Sequence, residues 1–175
     1  MSGIVALVGN PRSGSRTLAV AVEAAETLGR RLGHAAAPDL IDLAALGPQL
    51  LAVLPAPAVE VALELVAGAD LVVVASPTYK GTYTGLLKAF LDRLRPDALA
   101  GAVALPLLVM GDPRHALAVE VHLRPLLVEL GAVVPTPGLA LVESDLPRLG
   151  EVLDGWYDRV IPQLGAAVQE APATR

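Results

Sequence analysis

Short apolar runs along the chain are separated by longer segments in which apolar and polar positions alternate with a helical period. The continuous runs Ile4–Val8, Leu71–Ala75 and Val103–Val109 carry no charged residue, as is typical of strands covered on both faces. A weaker strand is predicted around Leu40–Leu43, and a last strand within Val133–Val142, where prolines interrupt the run. The pattern therefore predicts about five strands.

The segments between and after these runs have the spacing of amphipathic helices. Five helices are predicted: from near Leu18 to a stop at Gly33, over Val59–Ala67, after Gly85, from about His115 to Leu130, and from Leu146 to about Val168. Pro125 should kink the fourth of them. Strands alternating with helices indicate an α/β fold. With about five strands, we expect a flavodoxin-like doubly wound parallel sheet of order 2-1-3-4-5, with helices on both faces. Residues 1–170 then form a single domain, followed by a disordered tail at 171–175.

Composition narrows the classes of function. The chain has 175 residues, of which 54% are hydrophobic and 18% charged, so it can bury a sheet. Cysteine is absent, which excludes disulfides and thiolate metal sites, and the three histidines have no metal-ligand spacing. A net charge of −5 argues against a nucleic-acid partner. No apolar stretch predicts a membrane span, and the first residues do not resemble a signal peptide, so we expect a cytoplasmic protein.

The loop Gly9–Thr17 lies between the first predicted strand and the first predicted helix, which is the layout of a phosphate cradle. Helix N–H groups would point into it, and the helix dipole would add positive charge. Its side chains offer hydroxyl and guanidinium donors, from Ser13, Ser15, Thr17, Arg12 and Arg16. The alternative is an ordinary strand-to-helix turn with solvated arginines.

Two better-known phosphate motifs do not fit this loop. Gly9 and Gly14 have the glycine spacing of a Walker loop, but Ser15 and Arg16 stand where lysine and serine or threonine should follow. A dinucleotide fingerprint is broken by Asn10-Pro11. A monophosphate site remains.

The loops after the third and fourth predicted strands should meet the first loop at the same edge of the sheet. In the first of them, Pro77 fixes the entry of the loop, Tyr79 offers an aromatic face and Gly81 permits close backbone approach. The N–H groups of residues 78–81 suit the polar edge of a flavin, and Lys80 suits negative charge on a reduced ring. In the next loop Gly111 suits a close backbone contact, while Asp112 either contacts the ligand or caps the following helix.

These residues resemble the NADPH-dependent FMN reductase family, in its flavodoxin-like branch. The chain is most similar to the flavin reductases that partner alkanesulfonate monooxygenases. The first matching piece is Gly9-Asn10-Pro11-Arg12 with Ser15-Arg16, and the second is the stretch from Pro77 through Lys88 to Asp92. A weaker match runs from Leu105 to Gly111 and continues through His115 and Leu123-Arg124-Pro125. The second piece is the most specific, and the similarity extends to about Gly131.

The resemblance implies NAD(P)H-dependent reduction of FMN, with hydride passing from the nicotinamide to flavin N5 and no catalytic side chain. It implies that Asn10, Arg12, Ser15, Arg16 and Thr17 surround the FMN phosphate, and that Pro77, Thr78, Tyr79, Lys80 and Gly81 bind the isoalloxazine. It also implies a homodimer or homotetramer, and a flavin-dependent monooxygenase as a candidate partner.

Two other functions remain open at this point. The chain could keep FMN bound and use NAD(P)H to reduce a quinone, an azo compound or another small acceptor. It could also be a flavodoxin-type electron carrier, which the cationic residues Arg12, Arg16 and Lys80 disfavour. The relatives that reduce quinones and azo dyes usually carry Glu and Asn where Thr78 and Lys80 stand, which favours flavin reduction.

Overall fold

The computed structural model describes residues 3–52 and 56–170, with side chains described only up to residue 164, so the expected tail at 171–175 lies outside the described residues. The described strands form one five-stranded sheet in which every pairing is parallel. In chain order they are β1 (Ile4–Val8), β2 (Asp39–Asp42), β3 (Leu71–Pro77), β4 (Val103–Met110) and β5 (Leu139–Val142). Their spatial order, β2-β1-β3-β4-β5, confirms the predicted flavodoxin-like sheet.

Helices cover both faces of the sheet, as predicted. They are α1 (Arg16–Leu32), α2 (Gly47–Leu50), α3 (Pro57–Gly68), α4 (Gly85–Leu91), α5 (Arg124–Glu129) and α6 (Leu149–Glu170). One apolar cluster joins α1 and α6 to alternate residues of the strands, and a second joins α3, α4 and α5 to the other residues. Every residue of β1, β3 and β4 is buried, which explains why these strands read as continuous apolar runs.

The predicted helix from His115 to Leu130 is divided into three pieces. A 3₁₀ turn covers Pro113–His115, a π-helical turn covers Val119–Leu123, and α5 follows. Pro125 has no N–H to donate to the carbonyl of Val121, so an unbroken α-helical ladder cannot pass this point. The N–H of Arg124 instead donates to the carbonyl of Val119, one residue further back than an α-helix requires.

The last strand lies within the predicted range, and the last helix begins three residues later than predicted. Leu139–Val142 forms the continuous ladder with β4, and Val133 makes an isolated parallel bridge with Val103. Between these two pairings, Pro135 and Pro137 cannot donate to a ladder. Residues Glu143–Arg148 form a 3₁₀ segment that contains Pro147, and α6 begins only after it. Within the described residues, no helix combines the length and the apolar character needed to span a membrane.

Candidate functional site

The loops after β1 and β3 lie side by side at the carboxyl edge of the sheet, where the strand order changes direction. Val8 is in register with Ala75, and the N–H of Gly9 donates to the carbonyl of Ala75 at 2.8 Å. The loop after β4 adjoins them, because the N–H of Thr78 donates to the carbonyl of Val109 at 2.9 Å. The sheet therefore brings the three predicted loops to one edge, at the place where ligands bind in doubly wound folds.

The loop after β1 is held by its own polar side chains. Ser15 is the N-cap of α1, and its Oγ accepts from the N–H of Leu18 at 3.2 Å. Asn10 is buried; its Nδ2 donates to Thr17 Oγ1 at 3.1 Å, and its Oδ1 accepts from the N–H of Arg12 at 2.9 Å. Asn10 thus braces both ends of the loop, and Ser15 fixes the start of the helix.

A run of backbone N–H groups at this helix start is available to a ligand. Among the described residues, the N–H groups of residues 13–17 have no hydrogen-bond acceptor. They lie at the positive end of the α1 dipole, a position that suits an anion. Arg12 and Arg16 are exposed beside them, and Arg16 Nη2 lies 3.0 Å from Glu143 Oε1.

Thr84 connects the first two loops to α4. Its hydroxyl donates to the carbonyl of Gly9 and accepts from the N–H of Leu87 at 3.1 Å, and its own N–H donates to Ser76 Oγ at 3.0 Å. Gly9 must be glycine, because a Cβ there would lie 2.5 Å from the Cβ of Leu87. Sequence reasoning missed both Thr84 and Ser76, although a threonine one residue before the helical stripe is an N-cap signal.

The loop after β3 contains a tight turn over residues 79–82. The N–H of Tyr79 donates to the carbonyl of Thr82 at 2.8 Å, and the two residues form an isolated antiparallel bridge. The central residues both have left-handed backbones, with φ of 55° at Lys80 and 85° at Gly81, as in a type I′ turn. A left-handed lysine is uncommon, and such outliers concentrate at functional sites.

This turn presents polar and aromatic groups at the edge of the sheet. Tyr79 is 41% exposed, whereas Tyr83 is partly buried against the apolar core. The N–H groups of Lys80 and Gly81 have no acceptor among the described residues. Thr78 Oγ1 is buried without a hydrogen-bond partner, which is costly unless another group supplies one.

In the loop after β4, Asp112 acts as a cap. Its Oδ1 accepts from the N–H of Arg114 at 2.9 Å, and its Oδ2 accepts from the Nε and Nη2 of the same residue at 2.9 and 2.7 Å. These bonds lower the pKa of Asp112 to about 2. The capping alternative is therefore observed, and a contact between Asp112 and a ligand stays a prediction.

Gly111 has no internal packing reason to be glycine. A Cβ there would meet no other atom within 4 Å, and the residue is exposed. The prediction that its backbone approaches a ligand therefore stays open. The described residues contain no group of His, Asp or Glu side chains that could hold a metal ion.

Comparison with known proteins identifies close relatives. A family model described as NADPH-dependent FMN reductase matches residues 3–146. The chain is 35% identical over 144 residues to the FMN reductase (NADPH) of Pseudomonas aeruginosa, which covers 81% of this chain and 77% of that protein. It is 37% identical over 137 residues to the FMN reductase (NADPH) of Escherichia coli, covering 74% and 67%. Identity to the NADH-dependent FMN reductase SfnE of Pseudomonas putida is 35% over 147 residues, covering 82% and 78%.

Solved structures with a similar fold include another FMN oxidoreductase. The apo form of NADH:FMN oxidoreductase (EMOB) superposes with a TM-score of 0.76 and 35% identity, covering 89% of this chain and 88% of that one. An archaeal flavodoxin superposes with a TM-score of 0.55 at 15% identity and 90% and 99% coverage, which shows the shared fold alone.

Proposed function

Because the chain belongs to the NADPH-dependent FMN reductase family, we propose that the carboxyl edge of its sheet is the place where FMN is reduced by NADPH or NADH. The chain is an oxidoreductase, and FMN and a nicotinamide nucleotide are its ligands. The observation that carries the proposed location is the run of N–H groups at residues 13–17, which lack acceptors among the described residues. Such a run at a helix start suits the FMN phosphate.

The phosphate would be held by the loop after β1. The N–H groups of Ser15, Arg16 and Thr17 lie on the first turn of α1 and would donate directly. Arg12 and Arg16 would add charge-assisted hydrogen bonds. Asn10 already bonds Thr17 and the backbone of Arg12, so its proposed role is to hold the loop in the shape that the phosphate needs.

The isoalloxazine ring would lie against the loop after β3. The free N–H groups of Lys80 and Gly81 and the unpartnered hydroxyl of Thr78 suit the polar edge of the ring. Tyr79 offers an exposed aromatic face, and Pro77 ends β3 and aims the loop. Gly111 would contact the ring from the loop after β4, and Asp112 would shape that loop through its bonds to Arg114.

The chemistry requires little from the side chains themselves. FMN, when bound, supplies the hydride acceptor at its N5 atom. The protein's part is to hold the two nucleotides in reacting geometry and to stabilise the charge that develops. Lys80 is placed for the second task, since it stands at the turn proposed to contact the polar edge of the ring. No protein acid or base is needed, so no catalytic residue is assigned.

The proposal extends to the oligomeric state, the electron acceptor and the cellular location of the chain. We also propose that the chain forms a homodimer or homotetramer, supported by the exposed apolar side chains of Leu117 and Val121 on the segment that follows β4. Reduced FMN would pass to an acceptor such as a flavin-dependent monooxygenase. A cytoplasmic location fits an enzyme that draws on the cellular pool of NADPH and NADH.

The test is to mix the purified protein with NADPH, and separately with NADH, in the presence of excess FMN. We expect loss of nicotinamide absorbance at a rate that rises and then saturates with free FMN. Protein that is yellow as purified and turns over only when a quinone is added would replace this proposal by the retained-FMN reductase. Flavin binding without nicotinamide oxidation would leave only the electron carrier.

A further inference from the structure

A carboxylate from a fourth loop reaches the proposed phosphate site. Glu143 directly follows β5, and Val142 is in register with Met110 of β4, so this segment leaves the sheet at the same edge as the other loops. Glu143 Oε1 lies 3.0 Å from Arg16 Nη2. Arg16 is the first residue of α1, at the helix start where N–H groups lack acceptors.

This ion pair changes the charge that the site offers to an anion. Arg16 and Glu143 together carry no net charge, whereas Arg12 has no ion-pair partner among the described residues. A phosphate dianion at the helix start would therefore meet the full charge of one arginine, not two. To donate fully to the phosphate, Arg16 would have to give up some of its interaction with Glu143.

We infer that Glu143 is a specificity-determining residue that weakens the hold on the FMN phosphate by competing for Arg16, and so keeps FMN exchangeable. This inference rests on the proposed location of the FMN site. Both side chains are accessible to solvent, to 65% for Arg16 and 37% for Glu143. Exposed pairs of this kind are weak enough to open. Glu143 thus lowers the affinity for FMN only moderately, so that FMN still binds.

The effect should be specific to the phosphate and not to the ring. Glu143 interacts with α1, while the proposed ring contacts lie on the loops after β3 and β4. Replacing the carboxylate by an amide keeps the shape of the side chain and removes its charge. Riboflavin, which has the same ring without a phosphate, separates the two parts of the ligand.

The experiment measures FMN and riboflavin affinities by fluorescence titration for the wild type and for Glu143→Gln. We expect Glu143→Gln to lower the dissociation constant for FMN about two- to fivefold, the range that opening an exposed ion pair allows, and to leave that for riboflavin unchanged. Asp145→Asn is the matched control, because Asp145 lies two residues further on and pairs with Arg148 at 3.0 Å. This control should change neither constant.

The same titrations in an Arg16→Ala background test the route of the effect. If Glu143 acts by competing for Arg16, the gain from Glu143→Gln should disappear when Arg16 is absent. Weaker FMN binding by Glu143→Gln, equal changes for FMN and riboflavin, or an undiminished gain in the Arg16→Ala background would each overturn the inference. Wild-type protein that binds FMN no more tightly than riboflavin would instead refute the proposed phosphate site itself.

Discussion

The hydroxyl of Thr84 donates to the backbone carbonyl of Gly9, across a sequence separation of 75 residues. The same oxygen caps α4 by accepting from the N–H of Leu87 at 3.1 Å, and the residue is 97% buried. One residue therefore ties the loop proposed to hold phosphate to the helix that follows the loop proposed to hold the ring. This contact adds to the pairing of β1 with β3 in holding the two halves of the site together.

Thr84→Val should lower the free energy of unfolding by about 1–3 kcal/mol, because it removes the cap of α4 and leaves buried groups without partners. Chemical denaturation of the wild type and the variant measures this loss. Thr82→Val is the control, since the Thr82 side chain makes no hydrogen bond among the described residues. A Thr84→Val protein as stable as the control would show that the contact with Gly9 does not hold the loops.

Two glycines of the site should respond differently to alanine. Gly9→Ala places a Cβ 2.5 Å from the Cβ of Leu87, so it should cost about 1–3 kcal/mol of stability. Gly111→Ala meets no atom within 4 Å and should leave stability unchanged while weakening FMN binding. Thermal unfolding and FMN titration of both variants check the contrast. FMN affinity unaffected by Gly111→Ala would remove the close contact proposed for this backbone.

Arg12→Ala should weaken FMN binding by about tenfold, corresponding to about 1.4 kcal/mol, because an exposed guanidinium beside the free N–H groups would no longer reach the phosphate. Riboflavin binding should be unaffected. Arg148→Ala is a suitable control, since this arginine lies in the 3₁₀ segment and pairs with Asp145. Equal losses of FMN and riboflavin affinity would contradict the phosphate assignment.

Tyr79→Ala should cost about 1–3 kcal/mol of binding free energy for both FMN and riboflavin, the range found when an aromatic side chain that stacks on a base is removed. Tyr79→Phe keeps the ring and should bind nearly as well as the wild type. Fluorescence titration separates the variants. If Tyr79→Ala binds both flavins normally, the exposed ring has another role.

The Asp112–Arg114 pair should make stability depend on acid pH. The pKa of Asp112 falls from its ordinary value of 3.8 to about 2 on folding, so its stabilising contribution is complete above about pH 4 and is lost as pH falls toward 2. Asp112→Asn should therefore lower the melting temperature at pH 5 and have little effect at pH 2. A deficit of Asp112→Asn that is the same at both pH values would rule out the ion pair as its cause.

The sequence predicted the sheet well because its central strands are buried on both faces, and such strands appear as uninterrupted apolar runs. The meeting of the three loops was also predictable, because the carboxyl ends of parallel strands lie at one edge of the sheet. The π-helical turn at Val119–Leu123 was not predicted. A change of hydrogen-bond partner only slightly shifts the spacing of apolar residues, so the sequence pattern still looks like that of an α-helix.

The long-range contacts of the site also escaped prediction. Nothing local in the sequence indicates that Thr84 reaches Gly9 or that Glu143 reaches Arg16, because both contacts depend on how the strands are ordered. The capping role of Asp112 was one of two alternatives, and the structure shows the cap. The ligand contacts themselves stay predictions, supported by donors that the protein leaves free.

The left-handed backbone at Lys80 limits how the site can vary. With φ of 55° this position accepts glycine or asparagine easily and β-branched side chains at a cost. In a library with every amino acid at position 80, many variants would therefore differ in folding before any difference in electron transfer could be measured. The neighbouring Tyr79 does not have a left-handed backbone, so replacements there should fold and differ mainly in how well they bind flavin.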